Sequence, residues 1–293
     1  MNSTLKSCIL AARPKTLPAA IVPVWLGCML AWKLEGEFDW WLALCTLMGA
    51  MWIQIGTNFF NDAIDNDKGA DTERRLGPIR ATASGLLSRG QVYGAALGCL
   101  LVAAVFGWFL FQARGWAMVA IGLPSLYLCY GYTGGPVPLA YRGLGEIFVV
   151  LFFGVIAVMG TIFVQLGQWP IEGLLLGLQL GLLSAVLISI NNLRDREEDA
   201  GNAKNTLAVK LGECWGKRVV ALEIFGAFSL SLIWLCMGQM SLWLGSSMFI
   251  ILGVRIWVLV RDEAPSAKYN KFLALGGIQL ILFAVLFTLA CVI

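Results

Sequence analysis

No histidine occurs in this 293-residue chain, and that absence closes off several chemistries at once. Zinc or haem held by imidazole is excluded, as is every nucleophile activated by a Ser-His-Asp arrangement. Charge is nearly as scarce: 13% of residues are Asp, Glu, Lys or Arg, against about 25% in a soluble domain. With 59% hydrophobic residues, most of the surface must face lipid. The net charge of +3 is small, and no nucleic-acid partner is expected. No polar stretch much exceeds roughly 30 residues, so residues 1–293 read as one domain with no separate soluble unit. Cysteine pairing also lacks support. The eight cysteines are scattered, mostly inside apolar runs and without CxxC spacing, as small buried hydrophobes would be.

What the chain does contain is a series of apolar runs of about 20 residues, the length needed to cross a bilayer. They fall approximately at 17–34, 40–60, 90–111, 115–133, 143–166, 171–192, 217–237, 241–260 and 271–292. The expected fold is therefore all-α: a polytopic membrane bundle of about nine transmembrane helices. Pro14, Pro18 and Pro23 crowd the first run and predict a kinked or partly interfacial start. A cleavable leader over residues 1–30 fits poorly, because the run continues through Trp25-Leu26 and no A-x-A site follows cleanly. Most Lys and Arg residues gather in the amino-terminal tail and in alternate connections, while the other side holds Lys33 and Arg114. The positive-inside rule then predicts a cytoplasmic amino terminus and an outside carboxyl terminus.

Two acidic clusters stand out against this background, each at the end of an apolar run. The first is Asn61-Asp62-Ala63-Ile64-Asp65, followed by Asp67, Asp71 and Glu73. The second is Asn191-Asn192-Leu193-Arg194-Asp195, followed by Glu197, Glu198 and Asp199. Superposing them puts Asn61 on Asn191, Asp62 on Asn192 and Asp65 on Asp195. Both lie on the predicted cytoplasmic side. If the helices continue through them, Asp62 and Asp65 share one face, as do Asp195 and Asp199. Acids at a helix carboxyl end oppose the helix dipole. Two unit charges ~4 Å apart interact by roughly 4 kcal/mol at an effective dielectric of ~20, so carboxylates this dense call for a cation among them.

Hard oxygen ligands beside an apolar medium suit Mg²⁺ held through one or two carboxylates plus phosphate oxygens. The chemistry this points to is a metal-bound diphosphate on a lipid. Arg74, Arg75 and Arg80 after the first cluster, and Arg194, Arg196 and Lys204 in the second, are cations of the kind that meet phosphate oxygens. Orientation by the positive-inside rule explains any one of them equally well. Gly134-Gly135-Pro136 reads as a tight turn. Glu146 is a favourable charge at the start of the fifth run, and Gln54 sits at helical spacing from Asn58 and Asn61.

With these residues in view, the chain resembles the UbiA superfamily of intramembrane aromatic prenyltransferases, most of all its 1,4-dihydroxy-2-naphthoate polyprenyltransferase branch. The likeness covers nearly the whole chain. It rests on Arg13-Pro14-Lys15-Thr16-Leu17-Pro18, on Gly56-Thr57-Asn58 leading to Asn61-Asp62-x-x-Asp65 and Gly69-x-Asp71-Thr72, and on Gly77-Pro78-x-Arg80-Ala81. Further on it rests on Tyr132-Thr133-Gly134-Gly135-Pro136, Gly143-Leu144-Gly145-Glu146, and Asn191-Asn192-x-Arg194-Asp195 followed by Asp199 and Lys204-Asn205-Thr206. Gly69 stands where the broad superfamily often has an acid, and Ala203 where this branch usually has glycine.

The resemblance implies a UbiA-like bundle around a central cavity that opens to lipid and is capped by the two acidic loops, in a bacterial cytoplasmic (inner) membrane. It implies Mg²⁺ as cofactor, on Asp62, Asp65 and Asp71 from one side and Asp195 and Asp199 from the other. Asp62, Asp65, Asp195, Arg80 and Lys204 would carry catalysis. Asn58, Asn61, Asn191, Asn192, Arg194 and Tyr132 would surround the prenyl diphosphate. The aromatic partner would be 1,4-dihydroxy-2-naphthoate, prenylated with loss of CO₂ to give demethylmenaquinone. Another acceptor on the same fold (4-hydroxybenzoate, a phytyl or chlorophyll-type substrate, or haem) is the alternative. A cation transporter is a more distant one, since intramembrane acids often mark ion paths.

Overall fold

The computed structural model describes residues 3–36, 38–69, 76–77 and 80–293, the side chains of residues 3 and 4 excepted. Among these the regular structure is all helical. A short helix α1 (Ser3–Ala12) leads into α2 (Pro18–Glu35) through a bend of 49°. Pro14 and Pro18 lack the N–H groups that would carry one helix into the next, and Arg13 takes a left-handed φ of 51° at the break. The kinked start expected from the prolines is thus present.

α3 (Trp40–Asp67), α4 (Arg89–Arg114), α5 (Trp116–Gly131) and α6 (Gly145–Leu166) follow. Then come α7 (Ile171–Arg194), the one-turn α8 (Arg196–Gly201) and α9 (Leu207–Cys236). α10 (Met240–Ser247) and α11 (Ile250–Asp262) form one span, and α12 (Tyr269–Val292) ends the chain. Among the described residues, seven helices are long and apolar enough to cross a membrane, and the bent α1–α2 pair makes eight. α5, apolar but only 16 residues long, supplies the remaining run of the expected nine.

Local chemistry sets the ends. The Asp39 carboxylate accepts the Leu42 N–H to start α3, and Ser88 and Gln91 form a reciprocal cap on α4. At the same end as Asp39, Arg114 donates to the carbonyls of Val164 and Gln165, closing α6. Two boundaries differ from the sequence expectation. α3 runs on to Asp67 rather than stopping near residue 60, and α9 begins at Leu207 with a kink at Gly212 (φ 80°) rather than near residue 217. Hydropathy falls there because the helices leave the apolar layer, while their hydrogen bonding continues.

α7 is the central helix, packed by α2, α6, α9 and α12 around Leu26, Ile162, Leu176, Leu180, Ile224 and Phe283. A second cluster joins α3 and α4 through Phe59, Phe60, Val92 and Ala96, with Ala81 and Leu87 from the following loop. α6 crosses α7 at very short range. A Cβ on Gly154 would lie 2.3 Å from the Gly177 carbonyl oxygen and 2.5 Å from the Gly181 Cα. Only glycine allows that approach. α6 widens into a π-helical stretch at Val150–Ile156 at the same place.

Candidate functional site

Because α3 continues to Asp67, its acidic residues stand on the helix's last turns. Asp62 is 1% exposed and accepts two backbone N–H groups from the following loop, Ala81 at 3.0 Å and Thr82 at 2.8 Å. That contact fixes Arg80 next to α3. Its Nη2 lies 2.7 Å from Asp65 Oδ2, both side chains being 5% exposed. The Tyr141 hydroxyl donates to Asp65 Oδ1 at 2.9 Å. Asn61 accepts from the Thr133 hydroxyl. Asn58 turns the other way: its amide donates to the Ala12 carbonyl at 2.8 Å and to Thr16 at 2.9 Å, binding α3 to the chain between α1 and α2. Gln54 donates to the same Thr16 hydroxyl.

At the end of α7 the same kinds of residue are wired differently. The Arg194 guanidinium forks onto its neighbour Asp195 through Nε and Nη2 with two 2.7 Å bonds; Nη2 also donates to Asn191 at 2.8 Å, and Nη1 donates to Asn270 at 2.6 Å. Asn192 points to α6 and donates to Glu146 Oε1 at 2.9 Å. One turn further, Asp199 lies 3.3 Å from Lys204 Nζ. The backbone N–H of Lys204 also bonds the Asp199 carbonyl, with Ala203 taking a left-handed φ of 52° in between. A glycine would adopt that conformation without strain.

The two loops meet at two tyrosines. Lys68 Nζ lies 3.8 Å from the centre of the Tyr141 ring and Lys204 Nζ 5.9 Å from it, so one ring bears a cation from each loop. Burial and the Lys204 charge lower the Lys68 pKa, against a raising effect from Asp65. Burial pushes the Asp199 carboxyl up to about 6; Lys204 opposes the rise, while Asp195 and Asp65 add to it. Burial also raises the Tyr132 phenol, and Glu146, Asp65 and Asp199 each push it further. Tyr132 therefore stands among carboxylates from three elements and stays protonated.

Next to this end of the bundle lies an apolar cavity of about 500 Å³ lined by α2 to α6. On α3 the lining residues Thr46, Ala50, Ile53 and Thr57 recur at helical spacing, and the stripe continues to Asn61 and Asp65. On α6, Phe148, Phe152 and Phe153 line the cavity. Phe148 stacks on Phe152 at 4.7 Å and meets Tyr132 at 5.0 Å. Acids and cations thus cap one end of an aromatic-lined apolar space. Trp108, Trp116 and Leu123 also line it and are exposed on the outer surface, so the space reaches the lipid-facing side.

The residues present suit a hard divalent cation. Asp199 Oδ2 and Glu146 Oε2 are buried with no hydrogen-bond partner, and Asp65 and Asp195 bear on Asp199. Among the described residues no three carboxylates or cysteines converge into a complete cage. Asp71, Glu73, Arg74 and Arg75 lie outside the described residues. Tyr141, Lys68 and Asn270 complete the cluster without having been singled out as site residues. The only signal for the first two was position, Tyr141 in the Gly-Pro turn region and Lys68 three residues after Asp65.

The UbiA prenyltransferase family matches residues 20–291. The chain is 34% identical to a 1,4-dihydroxy-2-naphthoate octaprenyltransferase of Haemophilus influenzae, over 74% of this chain and 73% of that one. It is 39% identical to the enzyme of the same name from Mycobacterium tuberculosis, over 69% and 68%. In fold it is similar to a UbiA homolog from Archaeoglobus fulgidus solved with GPP and Mg²⁺, with TM-score 0.68 and 14% identity over 98% of this chain and 100% of that one. The apo UbiA homolog from Aeropyrum pernix K1 gives TM-score 0.73 and 12% identity over 94% and 98%. Bundle, cavity, acidic end and sequence likeness all agree: this chain belongs to the UbiA prenyltransferase family.

Proposed function

We propose that this protein transfers a polyprenyl chain from its diphosphate to 1,4-dihydroxy-2-naphthoate, with loss of CO₂. The observation that carries the reading is the meeting of Asp65–Arg80 and Asp199–Lys204 around Tyr132 and Tyr141, at the mouth of the apolar cavity. Relatives named for dihydroxynaphthoate at 33–39% identity select that acceptor within the family.

Each part of the site has a chemical task. The prenyl tail lies in the cavity against Phe148, Phe152 and Phe153, with its diphosphate between the two loops. Asp62, Asp65, Asp195 and Asp199 would hold Mg²⁺, with Asp71 as a further proposed ligand. When bound, the metal offsets the charge that develops on the leaving diphosphate. Lys68 and Lys204 add positive charge at the same end, and Arg80 holds the Asp65 side chain in place.

The allylic C–O bond breaks with its electron pair leaving on the diphosphate. The aromatic faces of the cavity stabilise the allylic cation, and the apolar walls keep water from it. The ring carbon bearing the carboxylate attacks. The new C–C bond forms, CO₂ departs, and the electrons of the broken C–C bond restore the aromatic ring. The product is the quinol form of demethylmenaquinone.

Asn191 and Arg194 position Asp195, and Asn192 positions Glu146, through the bonds described above; Asn61 ties α3 to Thr133, Tyr132 packs against Phe148, and Asn58 fixes the amino-terminal segment beside the diphosphate end. The bundle lies in the bacterial cytoplasmic membrane with both acidic loops on the cytoplasmic side, as the Lys/Arg distribution supports. The test is a membrane assay with one labelled prenyl diphosphate and either dihydroxynaphthoate or 4-hydroxybenzoate, with and without Mg²⁺. Product with dihydroxynaphthoate and Mg²⁺ only is expected. Preference for 4-hydroxybenzoate would overturn the acceptor, and full turnover in EDTA would overturn the metal's role.

A further inference from the structure

We infer that Asn270, at the start of α12 and in neither acidic loop, is a positioning residue that clasps the two loops together. Its Oδ1 accepts from Arg194 Nη1 at 2.6 Å, and its Nδ2 donates to the Leu76 carbonyl at 3.0 Å. One amide therefore touches both sides of the site. Through Arg194, whose side chain is 1% exposed, it acts on Asp195, because both Asp195 oxygens are bound by that same guanidinium. Through Leu76 it anchors the beginning of the segment that carries Arg80 to Asp65 and places Ala81 and Thr82 on Asp62.

The platform beneath Asn270 is rigid. Its neighbour Tyr269 is fully buried, with its hydroxyl donating to the carbonyls of Val260 and Glu263 and its ring 5.1 Å from Phe272. An amide is the group this position requires, since it must accept from a guanidinium on one side and donate to a carbonyl on the other. A carboxylate would keep the first contact and repel the second. An alanine would lose both.

The kinetic consequence rests on the function proposed above; the structural one does not. The experiment compares full-length protein, Asn270→Asp and Asn270→Ala by hydrogen exchange and by steady-state kinetics. Both variants are expected to exchange amides in the Leu76–Leu87 segment about tenfold faster. Only Asn270→Ala should also loosen the segment around Arg194 and Asp195. The KM for prenyl diphosphate should rise several-fold in both, with the KM for the aromatic acceptor nearly unchanged. Unchanged exchange in Leu76–Leu87 for both variants would overturn the clasp, as would an Asn270→Asp protein indistinguishable from the parent. If the parent itself fails to prenylate dihydroxynaphthoate, the proposed function falls and the exchange data still decide the clasp.

Discussion

Removing Arg80 tests how the first acidic loop is held, and the size of the effect can be worked from the ion pair. Arg80 and Asp65 are separated by 2.7 Å and each side chain is 5% exposed. At an effective dielectric of ~20, charges this close attract by roughly 6 kcal/mol before desolvation is subtracted. Breaking such a buried pair from one side costs about 3–5 kcal/mol, because the remaining charge is left without its partner. Arg80→Met should therefore destabilise the metal-free protein by about 3–5 kcal/mol. Adding Asp65→Asn removes the stranded charge and keeps an acceptor for the Tyr141 hydroxyl, so the double variant should recover half or more of that loss. The assay is thermal unfolding in detergent of the parent, both single variants and the double variant, completed as a double-mutant cycle. Activity should not recover in the double variant, because Asp65 is a proposed metal ligand. Additive losses in the cycle would refute the reasoning: Arg80 would then stabilise the fold without neutralising Asp65. A double variant with full turnover would refute the role assigned to the carboxylate.

Three further outcomes follow from the same geometry. Asp199, raised to about 6, binds its proton more tightly folded than unfolded; its contribution to stability is present at low pH and lost as pH rises through about 6. Asp199→Asn should therefore stabilise the metal-free protein more at pH 7.5 than at pH 5, and the Mg²⁺ concentration for half-maximal activity should rise below about pH 6 in the parent; a flat Mg²⁺ requirement between pH 5 and 7 would contradict this. Tyr141→Phe keeps the ring under Lys68 and Lys204 and loses the bond to Asp65, whereas Tyr141→Leu loses both. The first should mainly raise the Mg²⁺ requirement and the second should also raise the KM for prenyl diphosphate, so identical kinetics for the two would remove any role for the ring. Gly154→Ala places a Cβ 2.3 Å from the Gly177 carbonyl oxygen and should destabilise by about 1–3 kcal/mol in thermal unfolding; unchanged stability would mean the α6–α7 crossing relaxes freely.

Much of the fold was legible because hydropathy reports burial in lipid directly. The runs expected at 90–111, 143–166, 171–192 and 271–292 became α4, α6, α7 and α12 with ends shifted by a few residues. The large errors fall where helices leave the apolar layer. α3 carries Asn61, Asp62 and Asp65 on helical turns that a hydropathy window reads as loop, and Leu207 to Gly216 is helical before its sequence becomes strongly apolar. Helical hydrogen bonding does not require apolar side chains, so a pattern built on apolarity stops too early at both acidic ends. The π-helical stretch in α6 left no mark in composition; it is visible only in the backbone beside the glycines of α7.

The candidate site was legible as an inventory and illegible as a set of pairs. Matching Asn61-Asp62-x-x-Asp65 to Asn191-Asn192-x-x-Asp195 suggests two equivalent half-sites, yet the hydrogen bonds differ at every matched position. Asn61 meets Thr133 while Asn191 meets Arg194; Asp62 binds a loop backbone while Asn192 binds Glu146. Asp65 takes its arginine from 15 residues away, and Asp195 takes its own from the adjacent position. Sequence spacing shows which residues share a helical face, but an ion pair across a loop depends on where the loop returns. Asp62 decides that return by accepting the amides of Ala81 and Thr82. Arg80 therefore stands 2.7 Å from Asp65, a pairing that the sequence spacing alone does not show. Among the described residues, Lys68 and Lys204 bring a cation from each loop to the ring of Tyr141, a residue with no acidic or basic signal of its own.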